Sequence, residues 1–136
     1  MARKTKNPIA SLTQLANSFS SSIEKLSARH ESVAERIALL KKLGTSNAVE
    51  FWKAGKYLYL NYPLKESGKD GRRRREYIGN DPAEVAAARE SIARHKELVE
   101  LQSEAADIER IIEAAGESMQ NALDVLDGRR RSTRYW

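Results

Sequence analysis

The sequence predicts a mainly α-helical fold with a small antiparallel β insert. Two long helices fold back as an antiparallel coiled-coil hairpin, with a two- or three-stranded sheet at the tip. Three observations predict this. Apolar residues recur at heptad spacing from Leu12 to Leu40. A second apolar stripe runs from Val85 to Leu126. Between them, over residues 45–80, the heptad disappears and a period of two takes over. With 136 residues the chain reads as a single domain, 1–136. Its parts in order are a basic arm (1–7), a helix (8–43), a β-hairpin insert (45–80), a helix (81–127) and a second basic arm (128–136).

The first helix is the clearest element. Leu12, Ala16, Phe19, Ile23, Leu26, His30, Val33, Ile37 and Leu40 are spaced four, three, four, three, which is an a/d seam. Asn7 is a cap and Pro8 fits the first helical position, where no N–H is needed. Gly44 ends the helix, and Lys41 and Lys42 suit the negative end of its dipole.

The second helix starts at Asp81-Pro82-Ala83-Glu84. Asp81 caps it, Pro82 opens it and Glu84 completes a capping box. Its stripe slips in phase between Ile92 and Leu101, where local overwinding or a shift of seam is expected. Gly116 is a weak point inside the helix and Gly128 a natural stop. Counting thirteen residues from the facing helix ends places His30 opposite His95. That pair is expected to be a polar layer that fixes register, or one sensitive to pH. Two histidines are too few ligands for a metal site, and no cofactor is expected. Ile111, Ile112, Ala114 and Ala115 make the stripe broader than a two-stranded seam needs, so a homodimer with a four-helix core is expected.

In the insert, "KYLYLNYP" alternates. Tyr57, Tyr59 and Asn61 share one face, and Leu58, Leu60 and Tyr62 share the other. "KESGKDG" is a turn with two glycines, and "RRRREYIG" is the return strand. "AVEFWKAG" is a third short strand, or an irregular lead-in whose Phe51 and Trp52 cover the apolar face.

Charge is unevenly distributed. From Lys53 to Arg75 there are eight bases (Lys53, Lys56, Lys65, Lys69, Arg72, Arg73, Arg74 and Arg75) and two acids. This segment is +6, against +5 for the whole chain. The second helix is acidic on its polar faces, while "MARKTK" and "GRRRSTRYW" make the termini basic arms suited to phosphate. A basic tip implies an anionic partner. There is no cysteine, so thiol chemistry and disulfides are excluded. Neither "AGKY" nor "SGKD" has the spacing of a phosphate-binding loop, and the acids sit on solvated helix faces, so no enzymatic activity is expected. No apolar run approaches membrane-spanning length, and a cytoplasmic location is the expectation.

The stretch from Tyr57 to Ile92, about a quarter of the chain, resembles two groups of proteins. One is a set of small uncharacterised proteins of bacterial mobile elements with an aromatic strand, a basic turn, a Tyr-Ile-Gly and a helix. The other is the Arm-type DNA-binding domain of tyrosine recombinases, whose three-stranded sheet enters the major groove. Tyr77, Ile78 and Gly79 match the strand end, and residues 81–88 match the backing helix. No recombinase catalytic domain fits in the rest of the chain, so the resemblance implies a free-standing accessory protein that binds duplex DNA.

The residues expected to contact DNA are Lys53, Lys56, Tyr57, Tyr59, Lys65, Lys69, Arg72, Arg73, Arg74, Arg75 and Tyr77. Alternation puts Arg73 and Arg75 on the side of Tyr77, and Arg72 and Arg74 on the other. A solvated edge that discourages aggregation is the plainer reading of the arginines. The alternative function is an interaction or scaffold module docking on a host or element-encoded protein through the coiled coil.

Overall fold

The computed structural model describes residues 7–63 and 74–129. The elements are α1 (Pro8–Leu43), β1 (Val49–Lys53), β2 (Tyr57–Asn61), β3 (Arg75–Gly79) and α2 (Pro82–Leu126). Two long helices and a small antiparallel sheet of three strands bear out the predicted fold class. Residues 34–103 form one compact unit. The residues before 34 and after 103 form another.

Both helices end as their residue types require. Asn7 Oδ1 accepts from the Ile9 N–H at 3.0 Å, which caps α1. Gly44 takes a positive φ of 99° and its N–H reaches the Leu40 carbonyl at 3.0 Å. At the far end of α2, Gly128 donates to Val125 O and Arg129 N–H to Asp124 O, at 3.1 and 2.8 Å. That is the paired bonding of a Schellman stop, again with glycine at positive φ. The helix stays α-helical through Gly116.

The sheet order is β1-β2-β3, all antiparallel. A three-residue turn, 54–56, joins β1 to β2. Ala54 and Gly55 both have positive φ, and Lys56 N–H donates to Lys53 O at 3.1 Å. This is the turn whose twist matches a hairpin. Tyr62 N–H to Arg74 O, 2.9 Å, carries the β2–β3 ladder one step past the strands. "AVEFWKAG" therefore supplies a true strand. Adjacent strand residues face opposite ways, so Trp52 turns inward while Phe51 turns outward. Of the two readings of this segment the third short strand holds, and the irregular lead-in, in which both rings cover the apolar face, does not.

One bulge shapes β3. Tyr77 pairs with Tyr59 and Gly79 with Leu58, which leaves Ile78 as the extra residue. Gly79 has a φ of +102°, and a Cβ there would meet the Tyr77 ring at 3.4–3.6 Å. The Tyr-Ile-Gly motif thus has a local explanation. Tyrosine projects outward, isoleucine packs inward, and glycine accepts both the backbone twist and the ring lying over it.

The core of this unit is Ala48, Leu58, Leu60 and Ala88, with Trp52, Tyr62, Ile78, Val85 and Ile92 around it. Leu58 is fully buried and Leu60 nearly so. Burying each contributes about 1.5–3 kcal/mol. The sheet therefore occupies the first three turns of α2, which sets the helix register. Ser46 N–H donates to Ser91 O, so the linker runs beside α2. Only beyond it do the helices pair, with Arg36 gripping Glu97 through two bonds of 2.7 and 3.0 Å. This is eight residues farther along α2 than a count from the helix ends predicts. In the second unit Arg29 pairs with Glu104, one heptad on in both helices, and His30 Nε2 lies 3.8 Å from Glu109 Oε2. The expected His30–His95 layer gives way to this His30–Glu109 pair. The phase slip in the α2 stripe marks the change of partner from sheet to helix. The helix itself continues as α-helix through the slip.

No helix among the described residues is long and apolar enough to cross a membrane. Replacing Gly79 by alanine is expected to cost roughly 1–2 kcal/mol, the penalty of a side chain in the left-handed region. A thermal melt checks it, and an unchanged melting temperature would mean that β3 lacks the bulge.

Candidate nucleic-acid interface

Strand pairing sorts the side chains of the sheet onto two faces. The inner face carries Glu50 and Trp52, Leu58 and Leu60, then Glu76 and Ile78. The outer face carries Val49, Phe51 and Lys53, then Tyr57, Tyr59 and Asn61, then Arg75 and Tyr77. Among the described residues the outer face contains no carboxylate. Both acids of the strands point inward and are engaged there. Glu50 accepts from Arg89 at 3.1 and 3.3 Å and from the Trp52 indole at 3.0 Å. Glu76 accepts the Tyr62 hydroxyl at 2.7 Å.

Aromatic rings form a row across the outer face, strand by strand. Phe51 and Tyr59 have ring centroids 6.4 Å apart, and Tyr59 and Tyr77 are 5.0 Å apart, each pair tilted by about 57°. Such pairs add a little to sheet stability. They do not bury the rings, since Tyr77 is 58% and Phe51 42% exposed. Arg75 overhangs one side of the row. Its Nε donates to Asn61 Oδ1 at 3.0 Å, and its guanidinium carbon is 5.5 Å from the Phe51 ring and 5.9 Å from that of Tyr59. Lys53 stands on the other side of the row, beside the turn that holds Lys56. There Lys53, Ala54, Tyr57, Tyr59 and Tyr77 line an open, largely apolar concavity of about 300 Å³.

Of the residues expected to contact DNA, the fold brings Lys53, Tyr57, Tyr59, Arg75 and Tyr77 onto one face. Lys56 is exposed in the adjoining turn. Arg74 goes to the other side, where its guanidinium stacks 3.9 Å from the centre of the Tyr62 ring. The expected division between alternate arginines holds for this pair. Lys65, Lys69, Arg72 and Arg73 lie outside the described residues. Phe51 belongs to the face, whereas the lead-in reading of its segment put it on the other one. The signal that places it is its neighbour, because Trp52 cannot be inside unless Phe51 is outside.

Two groups on the inner face have shifted acidities. The hydrogen bond from Arg89 holds the Glu50 carboxyl below its usual value, against a partial burial that pushes it up, and the Trp52 indole adds to the lowering. Burial raises the Tyr62 hydroxyl above its usual range, helped by its bond to Glu76. Among the described residues no group of three or more metal-ligating side chains comes together.

Glu50 is more acidic in the folded chain than in the unfolded one, so its ionised form favours folding. That contribution is complete above the ordinary carboxyl value of 4.5 and is lost as the pH falls below it. Glu50→Gln is expected to lower the melting temperature at pH 7 and to flatten its decline between pH 5 and pH 3. Parallel melting curves of the two proteins across that range would remove Glu50 from the acid response. No protein-family model, curated protein or solved structure matches this chain, and what the sheet does follows from its own residues.

Proposed function

We propose that this protein binds nucleic acid, with DNA as the expected target, through the outer face of its three-stranded sheet, and that two copies associate along their helices. One observation carries the first part. Among the described residues, a face with four aromatic side chains, Lys53 and Arg75 has no carboxylate, although the strands that build it contain two. Such a surface attracts phosphate and gives bases something to lie against. Arg75 suits phosphate because Asn61 already holds its side chain in place. The role of accessory protein to a mobile element rests on the resemblance of Tyr57–Ile92 alone.

The second part rests on the seam. Leu12, Phe19 and Ile23 are about half exposed, as are Ile111, Ile112 and Leu123 of α2. Apolar residues at heptad spacing along a helix are the signature of a further helical partner. A second copy supplies one with matching charges, and the same exposure favours the alternative of a scaffold docking on a host protein.

Alanine at Arg72 through Arg75 together is expected to weaken binding to DNA and to reduce the salt slope by about one unit for each phosphate no longer neutralised. Arg75→Ala alone should cost more than Arg74→Ala, whose side chain is stacked on Tyr62. Fluorescence anisotropy across a salt series checks both, and unchanged affinity in the fourfold variant would sink the assignment. Sedimentation equilibrium should give a dimer for the wild type and a monomer for Phe19→Glu with Ile23→Glu. A monomeric wild type would leave the seam to a different protein.

A further inference from the structure

We infer that the outer face takes unpaired bases, so that its substrate is single-stranded nucleic acid; the inference rests on the nucleic-acid reading above. The argument begins with what the face offers. Its centre is a row of three rings, Phe51, Tyr59 and Tyr77, one from each strand. Rings bind other flat π-systems through their faces. In a duplex those base faces are hidden in the stack and only base edges reach the groove. Reading edges needs donors and acceptors matched to each base pair. Phe51 has neither, and it stands where such a reader would put one. Unpaired bases expose their faces, and a sheet carrying two or three aromatic residues is a form that holds them.

Charge fits the same substrate. A stacked single strand must carry its phosphates past the rings, so cations belong along the two sides of the row and not within it. That is where they lie. Arg75 is opposite Asn61 at one end of β2, and Lys53 is opposite Tyr57 at the other. Four residues along the strands and two strand spacings across them put these two positions about 16 Å apart. Lys56 adds a third cation beyond Lys53. The concavity lined by Lys53, Ala54, Tyr57, Tyr59 and Tyr77 opens beside the row on this side. Its apolar lining and one lysine suit a splayed base with its phosphate. Among the described residues nothing on the face repels the backbone, because Glu50 and Glu76 are turned away.

Among the described residues the rings also lack a competing explanation. The core of this unit is complete on the inner face, where Leu58, Leu60 and Ala88 are buried. The outer rings contribute cross-strand contacts and leave much of their area in water, which is unfavourable unless something covers it.

The test uses the full chain, a labelled twenty-residue oligothymidine, which does not pair with itself, and a labelled twenty-base-pair duplex of random sequence. Binding is followed by anisotropy across a salt series, with quenching of intrinsic tyrosine fluorescence as a second readout. Tyr77→Leu and Phe51→Leu keep apolar bulk and remove the ring. Tyr77→Phe keeps the ring, and circular dichroism verifies that each variant is folded. The wild type is expected to prefer the single strand and to lose tyrosine fluorescence on binding it. Each leucine variant should lose about 5- to 100-fold in affinity for oligothymidine at an unchanged salt slope, with Tyr77→Phe near wild type. Duplex bound as tightly as the single strand, with the leucine variants unimpaired, would overturn the inference and leave the nucleic-acid reading standing. Binding to neither probe would overturn both, and the rings would then be the contact surface for a protein.

Discussion

Leu58 and Leu60 can leave water only because α2 offers Val85, Ala88 and Ile92 on one side of its first three turns. The rest of the sheet-bearing unit is arranged around that contact. Ala88 is small enough for the sheet to approach the helix closely, and Ile78, displaced inward at the bulge, closes the packed layer. Once these turns are occupied, α1 can meet α2 only farther along, at the level where Arg36 reaches Glu97. The linker from Gly44 to Ala48 spans the intervening length. Arg94 then finds a use for the offset. It donates to the Gly44 carbonyl at 2.6 Å and to that of Leu43 at 3.4 Å, satisfying backbone acceptors that the end of α1 leaves open. The negative end of the helix dipole gains a cation from the neighbouring helix as well as from Lys41 and Lys42.

The same contact decides the chemistry of the outer face. Period two allows no independent choice, because fixing Leu58 and Leu60 inside fixes Tyr57, Tyr59 and Asn61 outside. Glu50 and Glu76 share the inner parity and would be a liability there if unpaired. Arg89, at the level of α2 devoted to the sheet, answers Glu50. Tyr62, just past the end of β2, answers Glu76. Acidic groups are thus engaged at the margin of the core, and every charged side chain on the described part of the open face is a base. Among the described residues no charged or polar side chain is fully buried, so these pairs bear little of the cost that deep burial would impose.

Much of this was legible from residue order. Asn7-Pro8, Gly44 and Gly128 mark helix ends by chemistry that acts within a few residues, and the structure uses all three as read. Strand alternation in "KYLYLNYP" was equally local, and it fixed the composition of both faces without saying which was exposed. That question depended on Val85, Ala88 and Ile92, a tertiary partner that begins more than twenty residues away. The helix register was illegible for the same reason. Counting from helix ends assumes that both helices begin to pair where they begin. A sheet lying on α2 breaks that assumption, and the phase slip near Ile92 was its trace in the sequence. Phe51 was left between two readings because two adjacent aromatic residues invite one role, whereas the backbone gives them opposite ones. The eight bases between Lys53 and Arg75 read as a single tip, yet Arg74 and Arg75 divide between the two sides.

A face built from a row of rings with cations along its two sides divides affinity into two parts that respond differently to the solution. Phosphate contacts weaken steeply as salt rises, because binding releases counterions. Stacking exchanges apolar area and π contact for water, and salt hardly alters it. The two or three cations among the described residues of one face do not by themselves hold a phosphate backbone tightly at physiological salt. The rings supply a floor beneath the electrostatic part, and the arginines speed the approach of the strand. A second copy raises the floor again. If the helices join two chains, one strand long enough to meet both sheets binds the second as an intramolecular event, with an effective concentration set by the nucleotides between them. Weak single faces then suffice, and a strand too short to reach both sheets forgoes the gain even though its grip on the first is unchanged.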